Sequence, residues 1–223
     1  MDKIKNIGIF LLYFLGFILG PSLIYTIFYL FNMNEDMLLM VLSNLIYSII
    51  LFIILRKKII NDFKKLKDNK VKNFELVLKS WGVGLLLMMV SNMIINFIIF
   101  DGSISANEES VRAFIKDYLI LSGISSVILA PFSEEITFRY AVKKMFKNKW
   151  LYIIFSGVIF GFLHAISGIE TAKDLIDLVY IIPYGALGSA FAYVYSKTDN
   201  ICLPILGHMC HNLMTFLLIV LFM

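Results

Sequence analysis

Residues 130–139 read APFSEEITFR and place Glu134 and Glu135 side by side at the end of the apolar run Tyr118–Phe132. An ionised carboxylate near lipid is costly, so such a residue usually serves a function. All the histidines of the chain also lie inside apolar segments: His164, His208 and His211. Two adjacent acids and every imidazole inside apolar segments indicate chemistry carried out within a membrane.

The composition predicts an all-α, polytopic membrane protein. The 223 residues are 60% hydrophobic and 16% charged, whereas soluble domains are about 45–50% apolar and about 25% charged. A membrane-spanning helix needs roughly 18 or more apolar residues. Seven segments reach that length: 7–31, 37–55, 76–100, 115–135, 150–167, 178–196 and 201–222. We expect residues 1–114 to form the amino-terminal spans and residues 115–223, with the last four spans, to form the core that carries the site.

The basic residues predict the orientation, because cytoplasmic segments are enriched in Lys and Arg. Sixteen of them fall in the N-terminus, the 56–75 loop, the 139–149 stretch and Lys197. The alternate segments hold only Arg112, Lys116 and Lys173, and they carry many acids, including Glu35, Asp101 and Glu170. The N-terminus is therefore predicted inside, and the residues 101–114 form the only long external loop. The richness in Ile, Lys, Asn and Phe favours a bacterial cytoplasmic membrane.

Helical arithmetic brings the polar residues to one depth. Glu134 lies 15 residues before Lys149 and His164 lies 15 residues after it, so in an antiparallel hairpin each is about 22 Å from the turn. His208 lies about 12 Å from the turn at 198–200 that precedes the last span. Its depth equals that of Glu134 and His164 if the hairpin of the fourth and fifth spans protrudes about 10 Å into the cytoplasm. We therefore expect one cavity in the inner half of the membrane, open to the cytoplasm or to lipid, around Glu134, His164, His208 and Asn212.

Rotation about the helix axis refines this expectation. His208 and Asn212 are four residues apart and share a face, whereas His211 is rotated off that face, so His211→Ala is expected to be mild. Glu135 and Arg139 have the same spacing, which fits either a pair that orients the site or an ordinary helix salt bridge. The 56–75 loop has two interpretations as well, since its charge either sets topology alone or also binds anionic lipid. Small residues at Gly157, Gly161, Gly185 and Ser189 predict close helix packing.

Three motifs on three predicted spans carry a family resemblance. Glu134-Glu135-x-x-x-Arg139, Phe160-x-x-x-His164 and His208-x-x-x-Asn212 resemble the CPBP family of CAAX prenyl proteases and bacteriocin-processing proteins, over about residues 115–215. The resemblance implies an intramembrane, glutamate-dependent endopeptidase. In it Glu134 is the general base for a water, His164 holds or activates that water, and His208 and Asn212 bind the oxyanion. Glu135, Arg139 and Phe160 support these residues.

The metal content is left open by the sequence. Two histidines and a glutamate are a common hydrolytic zinc set, so a divalent metal such as zinc, if present, would be bound by Glu134, His164 and His208. The sequence contains no H-E-x-x-H motif, and the resemblance covers members of both the metallo and the glutamate type. We lean towards no tightly bound structural metal.

The predicted substrate is a peptide or a membrane protein, in the maturation of a bacteriocin or a signalling peptide or in immunity. The alternatives are a non-catalytic immunity or scaffold protein and, with less support, a transporter, because we find no repeated halves with broken helices. The expected partners are the substrate and membrane lipids. No nucleic-acid partner is expected, and the oligomeric state is left open.

Overall fold

The computed structural model describes residues 2–31, 33, 36–100, 102, 104–166 and 172–222. Over these residues the chain is helical and contains no strand. Eight helices follow one another: α1 (Asp2–Leu30), α2 (Asp36–Lys65), α3 (Lys70–Ile98), α4 (Ala106–Asp117), α5 (Leu119–Ala141), α6 (Lys149–Ile166), α7 (Ile181–Thr198) and α8 (Cys202–Phe222). A 3₁₀ segment, Ala172–Tyr180, leads into α7.

Seven of these helices are long and apolar enough to cross a membrane, and α4 is the exception among the described elements. They coincide with the seven predicted segments, so the prediction of an all-α polytopic membrane protein is confirmed. Apolar side chains such as Ile54, Leu86 and Phe97 remain exposed on the outer faces of the bundle, as expected where helices meet lipid. The division at residue 114 stays a prediction.

The predicted loop at 56–75 is largely helical. α2 continues to Lys65 and α3 begins at Lys70, so only residues 66–69 form a turn, in which Asn69 has a φ of 53°. A helix of 30 residues is about 45 Å long, which exceeds the roughly 30 Å of bilayer hydrocarbon. The charged residues therefore extend the hairpin beyond its apolar part instead of forming a separate loop.

The predicted external loop at 101–114 contains α4. Ser105 caps this helix, since its hydroxyl accepts a hydrogen bond from the Glu108 backbone N–H at 3.2 Å. Ser-x-x-Glu is the sequence signature of a capping box, and the sequence interpretation overlooked it at these positions. The acids Glu35, Asp101 and Glu170 and the side chain of Lys173 lie outside the described residues.

Small residues bring α6 and α7 into backbone contact, as predicted. A methyl group added at Gly161 would lie 2.5 Å from the Ile181 carbonyl oxygen and 2.8 Å from the Gly185 nitrogen. At Gly157 it would lie 2.6 Å from the Gly185 carbonyl oxygen and would also collide with Ser189. Because the obstacles are largely backbone atoms, this interface depends on glycine, and it sets the position of the end of α6 that carries His164.

The start of α8 is attached to α2 by a buried acid. Asp62 is 1% exposed, accepts a hydrogen bond from the Ile201 N–H at 2.9 Å and pairs with Lys58 at 3.0 Å. Asp199, in the turn before α8, bonds Lys143 at 2.8 Å. Partial burial alone would raise the pKa of Asp199, but the hydrogen bond and charge of Lys143, with Lys58 further away, hold that pKa below its ordinary value. These contacts hold the basic ends of α2, α5, α7 and α8 together.

Candidate active site

Two stretches of π-helix flank the paired glutamates within α5. Residues Ile124–Leu129 and Ile136–Ala141 are π-helical, and the α-helical turn Ala130–Glu135 lies between them. Such wide turns are uncommon and often occur at functional sites. Each extra residue in a turn rotates the remainder of the helix by about 100° relative to a regular helix. The direction in which Glu134 and Glu135 point is therefore set by these turns.

The first π-turn exposes a carbonyl that Asn212 uses. The Ala130 N–H bonds to Ser125 O instead of Ser126 O, and Pro131, the next residue, has no N–H to donate. Neither the α-type nor the π-type donor thus reaches Ser126 O. The Asn212 side chain donates to this oxygen at 2.7 Å. Asn212 therefore links α8 to α5.

Glu135 lies at the centre of a buried polar network. Its Oε1 accepts a hydrogen bond from Arg139 Nη2 at 3.1 Å and is 2.9 Å from His208 Nδ1. Arg139 Nε also lies 3.0 Å from Oε2, as an ion pair without hydrogen-bond alignment. Both Glu135 and Arg139 are 0% exposed, so the predicted pair forms. The sequence interpretation missed the second partner, His208, through which Glu135 contacts a predicted site residue directly.

Arg139 lies inside the bundle and not in the cytoplasmic tail, where the charge count placed it. Its Nη1 donates to Ser156 Oγ at 3.1 Å, and Ser156 in turn donates to Phe138 O at 2.6 Å. Its guanidinium carbon lies 4.8 Å from the centre of the Phe160 ring. Removing Arg139 from the predicted cytoplasmic group leaves fifteen basic residues against three, so the expected orientation is unchanged.

Glu134 faces the other way from Glu135, towards a cavity. Its Oε2 is buried and has no hydrogen-bond partner among the described residues, and His208 Nε2 lies 3.8 Å away. His208 therefore has one ring nitrogen on Glu135 and presents the other towards Glu134. A carboxylate oxygen that has no donor of its own, in a buried site, is available to accept a proton or a hydrogen bond from a bound molecule.

His164 is held by its own helix. Its Nδ1 is 3.0 Å from the Phe160 carbonyl oxygen, and a carbonyl only accepts, so Nδ1 carries the hydrogen and Nε2 of the neutral ring is an acceptor. The imidazole packs between aromatic rings, with centroids 4.2 Å from Phe160 and 5.1 Å from Tyr184. The Phe160 ring also contacts His208 at 5.7 Å, so it positions both histidines.

His211 is the residue for which the sequence-based prediction of position was wrong. It is 7% exposed and lines the same cavity as Asn212 instead of pointing away from it. Trp81 Nε1 donates a hydrogen bond to His211 Nδ1 at 3.2 Å. Since Nδ1 accepts, the neutral ring carries its hydrogen on Nε2 and is a donor there. A tryptophan in an apolar span was the available signal, because a buried indole N–H usually has a partner.

The four predicted site residues line one cavity of about 230 Å³. Its other walls come from α3, α4, α7 and α8 and include Asn92, Asn107, Glu108, Tyr184, His211 and Thr215. Tyr184 accepts a hydrogen bond from Asn107 at 3.1 Å, which connects α4 to this wall. The lining extends from Glu134 towards α4 and away from the basic ends of the helices. This direction differs from the first of the two expected routes, from the cytoplasmic side, and the lateral route from lipid stays a prediction.

The residues proposed for a metal do not form a ligand group. Within the described ranges, no three His, Cys, Asp or Glu side chains lie close enough together to bind a metal ion. His208 Nε2 and Glu134 Oε2, at 3.8 Å, are placed for a shared hydrogen-bonded molecule. The hypothetical set of Glu134, His164 and His208 therefore does not fit a metal site in this geometry.

A glutamate and histidines in a cavity among membrane-spanning helices are the arrangement expected of an intramembrane peptidase. Residues 116–214 match the family model described as Type II CAAX prenyl endopeptidase Rce1-like. This match confirms the resemblance found on the three motifs. It includes α5 to α8 over most of their length, and so all four predicted site residues.

Two curated relatives are similar to part of the chain. A protein of Bacillus subtilis (strain 168) named "Putative membrane peptidase YdiL" is 31% identical over 121 residues, which cover 53% of this chain and 44% of that protein. An uncharacterized protein of Mycoplasma capricolum subsp. capricolum is 36% identical over 105 residues, or 46% of this chain and 29% of that protein. The chain thus spans less than half the length of both relatives. No solved structure matched the chain.

Proposed function

We propose that this protein is an intramembrane endopeptidase of the CAAX-protease type, in which Glu134 activates a water for attack on a peptide bond. The observation that carries the proposal is the buried Glu134 Oε2, which has no hydrogen-bond partner among the described residues and lies 3.8 Å from His208 Nε2 at the cavity wall. Amide hydrolysis needs a base for water and donors for the developing oxyanion. Both kinds of group line this cavity.

In the proposed reaction, Glu134 takes a proton from a water whose oxygen attacks the carbonyl carbon of the scissile bond. His164 lines the cavity beside Glu134 and supports this step in the role that the family resemblance implies. The carbonyl oxygen becomes an oxyanion and receives hydrogen bonds from donors on α8. When the C–N bond breaks, Glu134 gives its proton to the leaving amine. Atoms and charges balance over these steps without a further reactant.

Three side chains on α8 are candidates to donate a hydrogen bond to the oxyanion, and their existing contacts differ. His211 has an Nε2–H set by Trp81, and His208, which Glu135 holds through Nδ1, is one of the two oxyanion donors that the family resemblance implies. One amide hydrogen of Asn212 is already bound to Ser126 O. We therefore assign the oxyanion to His208 and His211, and assign Asn212 to holding α8 in register with α5.

The proposed substrate is a peptide or the membrane-proximal part of a protein, in a bacterial cytoplasmic membrane, as in the processing of a bacteriocin or signalling-peptide precursor. The walls of the cavity combine apolar side chains, such as Leu187 and Phe216, with polar groups, such as Tyr184 and Asn92, which suits a peptide with apolar side chains and a polar backbone. A scaffold protein has no need of a buried carboxylate without a partner, because burying an unsatisfied charge is destabilising. No step of the mechanism passes through a metal ion.

The test uses the purified chain in proteoliposomes with a fluorogenic library of apolar peptides, each prepared with and without a C-terminal prenylated cysteine. The wild-type chain is expected to cleave members of the library, and Glu134→Gln to lower kcat by about 10³-fold, because it retains size but removes the base. Glu109→Gln, at an exposed acid on α4 outside the cavity, is the matched control and is expected to keep full activity. Cleavage should persist in the presence of a chelator.

Each alternative gives a different outcome in this assay and in cells. A scaffold would tolerate Glu134→Gln in a cellular assay of immunity. A transporter would fail with Glu134→Gln, yet mass spectrometry would find no cleaved peptide with the wild-type chain. Cleavage by Glu134→Gln at the wild-type rate would contradict the proposed role of this residue, and loss of cleavage with the chelator would favour the metal alternative.

A further inference from the structure

A groove of about 720 Å³ lies at the end of the molecule that carries the α2–α3 and α7–α8 turns. It is separate from the Glu134 cavity and shares no lining residue with it. α3 and α7 pack closely further along, where a methyl group at Gly84 would lie 2.6 Å from the Ala190 Cβ atom. The groove occupies the space between the ends of these helices. Its walls are formed by residues 65, 68, 69, 72, 73, 75, 76, 79, 193 and 197–200.

Some of the charged side chains that line the groove are already paired within the protein, and the others could bind a ligand. Four lysines and three acids take part: Lys65, Lys72, Lys79, Lys197, Asp68, Glu75 and Asp199. Glu75 is bound by Lys79 within α3, and Asp199 is bound by Lys143 at 2.8 Å from outside the groove. Lys65, Lys72 and Lys197 remain, with Asp68 as the acid that has no lysine of its own, although the charge of Lys65 also acts on Asp199. Three positive charges against one negative charge leave an excess of two, which suits an anion.

The groove is placed where a lipid headgroup lies. It begins at the ends of three membrane-spanning helices, α2, α3 and α7. Leu76 and the Tyr193 ring line it beside the lysines, so an apolar surface adjoins the cationic rim. Lys79 lies about 10 Å deeper along α3 than Lys72 and is paired with Glu75. A lipid has an anionic headgroup that would lie against the lysines and apolar chains that would lie against the adjoining apolar surface. It matches this arrangement better than a free ion does.

We propose that the groove binds the phosphate of an anionic phospholipid, such as phosphatidylglycerol, through Lys65, Lys72 and Lys197. A Lys ammonium is a compact charge that binds phosphate oxygens, and basic residues at a membrane surface attract anionic lipid. The bound lipid would join the α2–α3 turn to the α7–α8 turn. This inference goes beyond the proposed peptidase function and does not depend on it.

The test is native mass spectrometry of the purified chain titrated with phosphatidylglycerol and, separately, with phosphatidylcholine. The wild-type chain is expected to prefer phosphatidylglycerol. The triple variant K65Q/K72Q/K197Q should lose this affinity by about 30-fold, because each lysine near the membrane surface contributes roughly threefold. The control K144Q/K147Q/K149Q removes the same charge from exposed lysines outside the groove and should change the affinity by less than about twofold.

Other outcomes overturn the proposal. An equal loss in both triple variants would mean that general surface charge attracts the lipid, and an equal affinity for phosphatidylcholine would remove the requirement for an anion. Displacement of phosphatidylglycerol by inorganic phosphate at matched concentration would assign the groove to a soluble phosphate. The single variant K72Q, with an expected loss of about threefold, provides the same test if the triple variant unfolds. Peptidase activity is measured beside it as a check on the fold.

Discussion

At the scale of single residues, Glu135 and Glu134 are neighbours in sequence with different surroundings. Glu135 is fully buried and serves Arg139 and His208 together, whereas Glu134 has an oxygen without a partner among the described residues. A buried charge pair loses several kcal/mol when one partner is removed, since the other charge is left unpaired. The two carboxylates are therefore expected to respond differently to the same substitution.

Glu135→Gln is expected to lower both stability and activity. An amide cannot neutralise Arg139 and bonds the His208 ring less strongly than a carboxylate does, so we expect a loss of about 3 kcal/mol in the free energy of unfolding and a fall of about 10²-fold in kcat. Thermal unfolding in detergent and the peptide assay measure these effects. Glu75→Gln breaks a pair of the same spacing that is exposed on α3, and it should leave stability nearly unchanged, because water and salt screen an exposed pair. Equal effects of the two variants would contradict the assigned role of Glu135.

Trp81→Phe tests the part played by His211. The substitution keeps an aromatic ring but removes the N–H that sets the His211 tautomer, so we expect kcat to fall by about tenfold while KM changes little. His211→Ala should be more severe, at about 10²-fold in kcat, in place of the mild effect that helix rotation had suggested. The control is Trp150→Phe at the other, exposed tryptophan, which should have wild-type kinetics. An unchanged kcat in Trp81→Phe would remove His211 from the mechanism.

At the scale of the elements, the glycine contact between α6 and α7 determines where His164 lies. The atoms that oppose a side chain at Gly161 belong to the backbone of Ile181 and Gly185, and backbone cannot rotate away as a side chain can. Any added volume must therefore separate the two helices. His164 is three residues further along α6, so the separation would act directly on the cavity.

Gly161→Ala is expected to destabilise the protein by about 2 kcal/mol through overpacking and to lower activity. Gly82→Ala on α3 is the matched control, because an added methyl group there meets no atom within 4 Å. In that helix the change should be neutral or slightly stabilising, since alanine has the higher helix propensity. Thermal unfolding of the two variants measures the difference. A Gly161→Ala protein as stable as Gly82→Ala would show that α6 and α7 separate without cost.

At the scale of the whole molecule, charge and cavity lie towards different ends of the bundle. The basic hairpin of α2 and α3 and the α5–α6 turn share one end of the bundle. The cavity extends from Glu134 towards α4, away from that end. If basic residues face the cytoplasm, the cavity opens towards the outer leaflet. A substrate would then reach it from the outer side or laterally between helices.

Cysteine labelling in intact cells tests this orientation. In a variant without Cys202 and Cys210, a cysteine at 65 or 147 should resist an impermeant maleimide until the cells are opened. A cysteine at 109, exposed on α4, should react in intact cells. Labelling at 65 in intact cells would invert the predicted topology, and the side from which substrate reaches the cavity would invert with it. Labelling of all three positions in opened cells controls for their reactivity.

Much of this organisation follows from the sequence because it depends on quantities that are local. Hydropathy over about 18 residues defines a span, and the rise of about 1.5 Å per residue converts sequence position into depth. These two relations predicted the seven spans and brought Glu134, His164, His208 and Asn212 to a similar level. The i, i+4 spacing likewise predicted the contact of Glu135 with Arg139, since both residues are on one helix.

The contacts between helices were decided only by the tertiary structure. The depth of a residue follows from the helical rise alone, whereas the direction of its side chain depends on rotation about the helix axis. Packing sets this rotation, and each extra residue in a π-turn changes it by about 100°. The π-turns of α5 turn Glu135 towards His208, and the packing of α3 brings Trp81 to His211. Neither partner is near its counterpart in sequence. The sequence therefore determined which residues share a depth, and the packing of the helices determined which of them meet.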